Sequence, residues 1–380
     1  MSDQSAIPFN RPSVQGSERA YLEQAISGGH MSGDGPFTRK CHALLQQAMG
    51  AHKVLLTTSC TAALEMCALL LDLGPGDEVI IPSFTFVSSV NAFVLRGATP
   101  VFIDVRADTL NLDETLLEQA ITPRTKAIVV VHYAGVGCEM DAIMRTAERH
   151  GIPVVEDNAH GLFGRYRGRE LGTLGVLATQ SFHETKNFTC GEGGALVIND
   201  PRLTARAEIL REKGTDRSKY LRGQVDKYTW VDLGSSYLPS DALAAFLLAQ
   251  LEVREAIQAK RSKLWHTYRT ELADWAERNS VGFPTVPDHC EQTYHMFYVL
   301  FESPTQRQCL IDELRRNNIG SASHYVPLHL SAMGRRFGGV PGACPVTEDV
   351  SDRLLRLPFF NDMTDGDQER VVATIDAVRL

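Results

Sequence analysis

From residue 53 onward the chain alternates short apolar runs with longer amphipathic ones. KVLLTTS reads as a buried strand and TAALEMCALLLDL as a helix. GPGD is a turn, EVIIP a strand, and FVSSVNAFVLRG a helix closed by Gly97. TPVFID, TKAIVVVH and IPVVED are further strands. Between them lie the helices DETLLEQAI and MDAIMRTAERHG, the second closed by Gly151. Two more strands are expected near 178–183 and 193–199. Strands that alternate with helices in this way predict an α/β fold, with a mainly parallel sheet covered on both faces.

Upstream, residues 1–17 read as an extended arm, since Pro8 and Pro12 argue against helix. Ser17 is placed to cap a short helix running to about Ser27. GGHMSGDGPF follows, a mobile or tightly turned loop with Gly28, Gly29, Gly33 and Gly35. Downstream, residues 240–275 contain no glycine or proline and form one long helix or two in series. Beyond them strands are expected near 295–301 and 321–326, with helices between and after. The character of the chain changes in the long helix. The expected division is an arm and large domain over 1–250 and a smaller C-terminal α+β domain over 251–380.

Composition narrows the classes. The 380 residues are 43% hydrophobic and 22% charged, the mix of a globular protein rather than a disordered or fibrous one. No apolar run approaches the roughly 18 residues that span a bilayer. MSDQSAIPFN lacks a basic region followed by an apolar core, so a cytoplasmic protein is expected. A net charge of −8 argues against general nucleic-acid binding and leaves room for a local basic pocket for a small anion. The eight cysteines are scattered without a C-x-x-C pair, as in reduced, mostly buried thiols. The twelve histidines form no H-E-x-x-H, so no metal site is expected.

Ligands of a parallel α/β sheet bind beyond the carboxyl ends of its strands. Four such places carry chemistry. In VVEDNAH, Asp157 ends a buried strand, where it either caps a turn or pairs with a cationic ligand nitrogen. In SFHETKN, Lys186 is either a solvated surface lysine or an amine that burial makes nucleophilic. In TTSCTAAL, Thr58, Ser59 and Thr61 sit at a helix start, as plain caps or as a phosphate cup. In PSFTFVSSVNA, Phe84 and Phe86 are core residues or the plate of a flat pocket. Together, a phosphate cup, an aromatic plate, a carboxylate and a Schiff-base lysine are the parts that hold pyridoxal 5′-phosphate (PLP).

The order VVEDNAH, SFHETKN and then GEGG at 191–194 resembles the DegT/DnrJ/EryC1/StrS family of sugar aminotransferases, over nearly the whole chain. KVLLTTSCTAALEM, VHYAGVGCEMD and REKGTDRSKYLRGQVDKYTW resemble its branch that aminates a dTDP-linked 4-keto-6-deoxy sugar for enterobacterial common antigen synthesis. The resemblance implies a fold type I PLP enzyme. Lys186 would be the Schiff-base lysine and proton shuttle, and Asp157 would bind the pyridinium nitrogen. His160 would lie near the ring hydroxyl and Phe86 would stack on the ring. Ser59, Cys60, Thr61 and Ser181 would surround the phosphate. Family members carry a G-Y-N-Y-R-like segment whose Asn reaches the partner subunit's phosphate. Here the segment is GSSYLPSD, with Ser236 at that position and Leu238 at the position of the Arg.

His324, Tyr325 and His329 in SASHYVPLHL match a motif near the substrate pocket, and REKGTDRSKYLRG is a source of cations for a nucleotide diphosphate. The implied substrates are L-glutamate and a nucleotide-linked ketosugar, and the implied assembly is a homodimer or larger with the site at the interface.

Rival readings are weaker. PLP-dependent ketosugar dehydratases of this family carry histidine where Lys186 stands. A NAD dehydrogenase would need a G-x-G-x-x-G after its first strand. A PLP-binding regulator would carry a DNA-binding region. Cys190 raises the thought of a desulfurase, yet nothing beside it activates a thiol.

Overall fold

The computed structural model describes residues 5–380. The first four residues of the expected arm lie outside that range. Helix α1 (Glu18–Ser27) begins as expected, but Ser17 makes no side-chain cap. Its backbone is bent (φ −84°, ψ 6°) rather than in the extended conformation a capping serine adopts. The Glu18 carboxylate instead fixes the turn before the helix, accepting from the amides of Gln15 and Gly16 at 2.7 Å each.

The glycine-rich loop is shorter than expected, because Pro36 and Phe37 already open helix α2 (Pro36–Met49). Phe37, Cys41, Leu45 and Met49 recur every four residues and bury one face of it. The Asp241 carboxylate, distant in sequence, accepts from the amides of Phe37 (3.2 Å) and Thr38 (2.7 Å). A proline at the first helical position and a left-handed Gly50 after the last (φ 67°) complete the helix.

A seven-stranded sheet follows. Its strands are β1 (Lys53–Thr57), β2 (Glu78–Pro82), β3 (Thr99–Ile103), β4 (Thr125–Val131) and β5 (Val154–Asp157). After the small hairpin β6 (Arg165–Tyr166) and β7 (Arg169–Glu170) come β8 (Leu177–Ser181) and β9 (Gly194–Ile198). The spatial order is β1-β9-β8-β5-β4-β2-β3, and only β9 runs against the rest. The crossovers carry α3 (Cys60–Leu70), α4 (Ser88–Val94), the short α5 (Leu117–Ala120) and α6 (Met140–His150); α7 (Thr204–Arg211) follows β9. DETLLEQAI is therefore less helical than expected: a single 3-10 turn precedes α5, and Ile121 is already extended ahead of Pro123.

Alternate strand residues feed opposite layers. Leu55, Val79, Ile81, Val129 and Val155 pack with α3 and α4, whereas Ile80, Ile128, Val130 and Val154 pack with α6. Apolar residues on both faces are what make these strands read as unbroken hydrophobic runs.

The 240–275 segment is helices in series: after α8 (Arg217–Leu221) come α9 (Asp241–Glu252), α10 (Arg254–Glu271) and α11 (Ala273–Arg278). Strand β10 (Cys290–Glu291) pairs with β6, and β11 (Tyr298–Leu300) leads to α12 (Pro304–Arg316). Helices α13 (Ala332–Arg336) and α14 (Pro345–Arg353), strand β12 (Leu354–Arg356) and α15 (Asp365–Asp376) complete the chain. A second core forms here, where Leu264, Tyr268, Phe297, Leu314 and Val371 pack with Ile7 of the arm.

The strand expected near 321–326 does not form. Only Ala322 bridges, to Arg356, and the residues after it turn inward as loop. Among the described residues no helix is long and apolar enough to cross a membrane.

Candidate active site

The carboxyl ends of β5 and β8, the start of α3 and the loop after β8 enclose a cavity of about 350 Å³. Its wall includes Ser59, Cys60, Thr61, Phe86, Asp157, His160, Ser181, Lys186, His324 and Tyr325.

At the floor, β1 passes into α3 through Ser59. Its backbone is extended (φ −163°), and its hydroxyl accepts from the Ala62 amide. The amides of Cys60 and Thr61 in the first turn have no acceptor among the described residues, as at any helix start that awaits one. The edge of β9 lies close by: a Cβ on Gly194 would stand 2.3 Å from the Ser59 carbonyl carbon and 2.4 Å from the Cys60 nitrogen. Only glycine permits that approach. Free amides, dipole and hydroxyls of Ser59 and Ser181 make this corner a site for an anion.

Asp157 closes β5 and is buried. Its carboxylate accepts from the Ser89 hydroxyl (2.6 Å) and the Ala159 amide (3.1 Å). The neighbouring Glu156 points to the opposite face of the sheet and anchors the strand. It accepts from His132 Nε2 (2.8 Å) and from the amides of Gly172, Leu174 and Gly175. Burial pushes its carboxyl up, but these hydrogen bonds and the His132 imidazole outweigh that and hold it below the usual range.

Lys186 follows a turn closed by its own amide on the His183 carbonyl (2.9 Å). Its side chain reaches the cavity, where burial pushes the amine down to about 8. Cys60 and Asp157 oppose that fall and Arg356 adds to it. The His160 imidazole stacks on His295, and its Nδ1 is buried without a partner. Burial, then the Lys186 amine, pushes His160 well below the ordinary histidine range. Phe86 is 59% exposed at the mouth, whereas Phe84 is buried against Tyr133 and Tyr325 as a core residue.

The fold corrects one expectation, and two other candidate segments lie outside the cavity of their own chain. His329 does not line the cavity: its ring bridges the Ser83 hydroxyl (2.6 Å) and the Glu348 carboxylate (3.0 Å), tying α14 to the end of β2. Ser236 lies outside the cavity of its own chain, exposed and bridged to Glu212. No residue of REKGTDRSKYLRG lines the cavity either; Arg211 pairs with Asp34, and Arg217 with Glu212. Cys190 is buried, its thiol pushed up to about 12 by burial and then Glu192, the opposite of an activated nucleophile.

The cavity also contains residues that the sequence did not single out: Phe9 of the arm, Ser89, His295 and Arg356. Ser89 was readable as a polar residue beside Phe86. Arg356, alone inside LLRLPFF, gave no such signal.

Residues 12–376 match the model of the DegT/DnrJ/EryC1/StrS aminotransferase family. Solved structures agree over almost the full length. DesV from S. venezuelae, in complex with a ketimine intermediate, is 31% identical over 99% of this chain and 100% of its own, with TM-score 0.88. Spr1654 from Streptococcus pneumoniae, described as a sugar aminotransferase and solved in its PLP form, is 28% identical over 98% of both chains (TM-score 0.90). The aminotransferase TlmJ from Streptoalloteichus hindustanus is 29% identical over 98% of both (TM-score 0.89).

Proposed function

The chain belongs to the DegT/DnrJ/EryC1/StrS aminotransferase family, and from that premise we propose the reaction it performs. It transfers the amino group of L-glutamate to the 4-keto group of dTDP-4-dehydro-6-deoxy-D-glucose. The products are dTDP-4-amino-4,6-dideoxy-D-galactose and 2-oxoglutarate. The carrying observation is that Lys186 and Asp157 face one cavity with the free first turn of α3.

The cofactor is PLP, and the residues fit it. The Gly194 approach leaves the Cys60 and Thr61 amides open for a phosphate, with Ser59 and Ser181 beside them. The orphaned Nδ1 of His160 offers a partner to the ring hydroxyl. Asp157, held by Ser89 and Ala159, would accept from the ring nitrogen and keep it protonated. Phe86, which lines the cavity, would cover one face of the ring. Once bound, the cofactor supplies a carbonyl that takes up the amine and a ring that withdraws electrons from the neighbouring carbon.

Lys186 moves the proton. An amine near 8 is partly unprotonated at neutral pH and so serves as a base, and its conjugate acid returns the proton on the other side of the transfer. The desolvated cavity strengthens both roles.

A second copy of the chain is part of this proposal. Leu95, Trp230 (77% exposed) and Leu233 present apolar surface that a partner copy would cover, and the exposed Ser236 follows Leu233 closely in the chain. The cytoplasmic pool of nucleotide sugars suits such an enzyme.

The direct test is incubation with 15N-labelled L-glutamate and the ketosugar. The account expects labelled dTDP-4-amino-4,6-dideoxy-D-galactose and 2-oxoglutarate in equal amounts. Amination of another nucleotide-linked ketosugar in place of this one would keep the aminotransferase and replace the substrate.

A further inference from the structure

We propose that Arg356 is the receptor for the α-carboxylate of the amino donor, and that it acts in only one of the two half-reactions. The proposal rests on the aminotransfer reading above and names one residue of that site.

Arg356 carries an unmatched charge. Arg356 closes β12, is partly buried, and lines the same cavity as Lys186. Its guanidinium carbon lies over the Phe9 ring, 4.5 Å from the centroid. Among the described residues no carboxylate stands within 4.0 Å of it. Its Nε is buried without an acceptor, and its Nη2 makes no hydrogen bond. Among the described residues only Nη1 is engaged, by His324 Nε2.

Other interior arginines have more partners, although the Nη2 of Arg211 is also buried without one. Arg211 pairs with Asp34 and donates to the Leu56 carbonyl, and Arg261 donates to the carbonyls of Tyr294 and His295 and to Asn361. A guanidinium withdrawn from water without a counter-charge is costly, and the fork left open matches a carboxylate. Two carboxylates line the cavity, but Asp157 is already held by Ser89 and Ala159, and Glu192 pairs with His183 at 3.7 Å.

His324 sharpens the point. Because Arg356 donates to its Nε2, the ring proton sits on Nδ1, toward the Tyr133 hydroxyl at 3.3 Å. The imidazole is thereby neutral. It orients the guanidinium without adding a second charge to it.

The chemistry of the two substrates selects the donor. Every α-amino acid carries a carboxylate on the carbon that bears the reacting amine. Carbon 4 of a pyranose hexose is flanked only by carbons bearing neutral groups: a hydroxyl, an alkyl group and the ring oxygen. A cation beside the reacting amine therefore meets a counter-charge with one substrate and none with the other.

The test uses the PLP-loaded enzyme and α-methyl-L-glutamate, which binds but has no α-proton to lose. In Arg356→Gln its Kd should rise at least about 30-fold, the scale of truncating one partner of a buried charge pair. The bound cofactor content and the rate at which the pyridoxamine-phosphate form consumes ketosugar should stay within about threefold of wild type. Arg356→Lys, which keeps the charge and loses the fork, should fall between.

A counterpart needs no variant, so it holds even if both substitutions misfold. On the wild-type enzyme L-isoglutamine, with its α-carboxylate amidated, should bind far more weakly than L-glutamine, which keeps it. Unchanged donor affinity, equal losses in both half-reactions, or equal binding of the two amides would each overturn the proposal. A wild-type enzyme that takes no amino acid at all would overturn the aminotransfer reading itself.

Discussion

His160 and His295 lie stacked, their ring centroids 4.2 Å apart and their planes 16° from parallel. Two imidazoles that close and that buried cannot both be charged. Burial lowers both, and each is further disfavoured by the Lys186 amine. His295 is in turn held by Asn187 (2.8 Å), so the pair forms a fixed neutral wall. The ring resonances of both histidines should stay flat from pH 5.5 to 8 in an NMR titration. A midpoint near 6.5 for either would contradict the neutral wall.

Lys186 sets a pH-dependent stability. Burial pushes its amine down to about 8 in the fold, from the ordinary lysine value of 10.5. Between those values the unfolded chain binds more protons, so stability rises with pH there, and the full cost of the buried amine is felt below 8. Lys186→Met should therefore raise the melting temperature at pH 7, by the equivalent of at most about 3 kcal/mol. The gain should shrink as pH climbs through 8 toward 10.5. The same variant should show no turnover. A gain independent of pH, or retained turnover, would remove the lysine from its role.

Asp157→Asn keeps the shape and loses the charge. The Ser89 and Ala159 contacts can persist, so PLP should still bind. Turnover should fall about 100-fold or more, the scale set by losing one preorganised electrostatic partner. An unaltered turnover number would show that the ring nitrogen does not depend on Asp157.

Gly194→Ala tests the anion corner. Its added Cβ would meet the Ser59 and Cys60 backbone at 2.3–2.4 Å, and backbone there cannot yield cheaply. Overpacking of this kind costs about 1–3 kcal/mol, and the displaced α3 start should weaken PLP retention about tenfold or more. Gly74→Ala, with nothing within 4 Å of its Cβ, is the control. Equal retention in both variants would separate Gly194 from the phosphate.

Much of the layered fold was legible because its strands are buried on both faces and its helices close on glycines such as Gly97 and Gly151. Helix α2 was hidden behind a run of glycines, since its start is capped by Asp241 rather than by a neighbour in sequence. Asp157 and Lys186 stood out because polar residues that end apolar strands have few structural reasons to be there. SASHYVPLHL shows the limit. The motif holds two histidines, and only tertiary packing sends His324 to the cavity and His329 to Ser83 and Glu348. Arg356 was invisible for a similar reason, because a lone arginine between leucines reads as a solvent-facing strand residue until β11 and β12 pair and set it against Phe9.

The most direct measurement is a spectral titration of the PLP-loaded protein. L-glutamate should abolish the long-wavelength cofactor absorbance, and dTDP-4-dehydro-6-deoxy-D-glucose should then restore it. Loss without recovery would reject this ketosugar. Absorbance that L-glutamate leaves unchanged, or that never develops when PLP is supplied, would contradict the account.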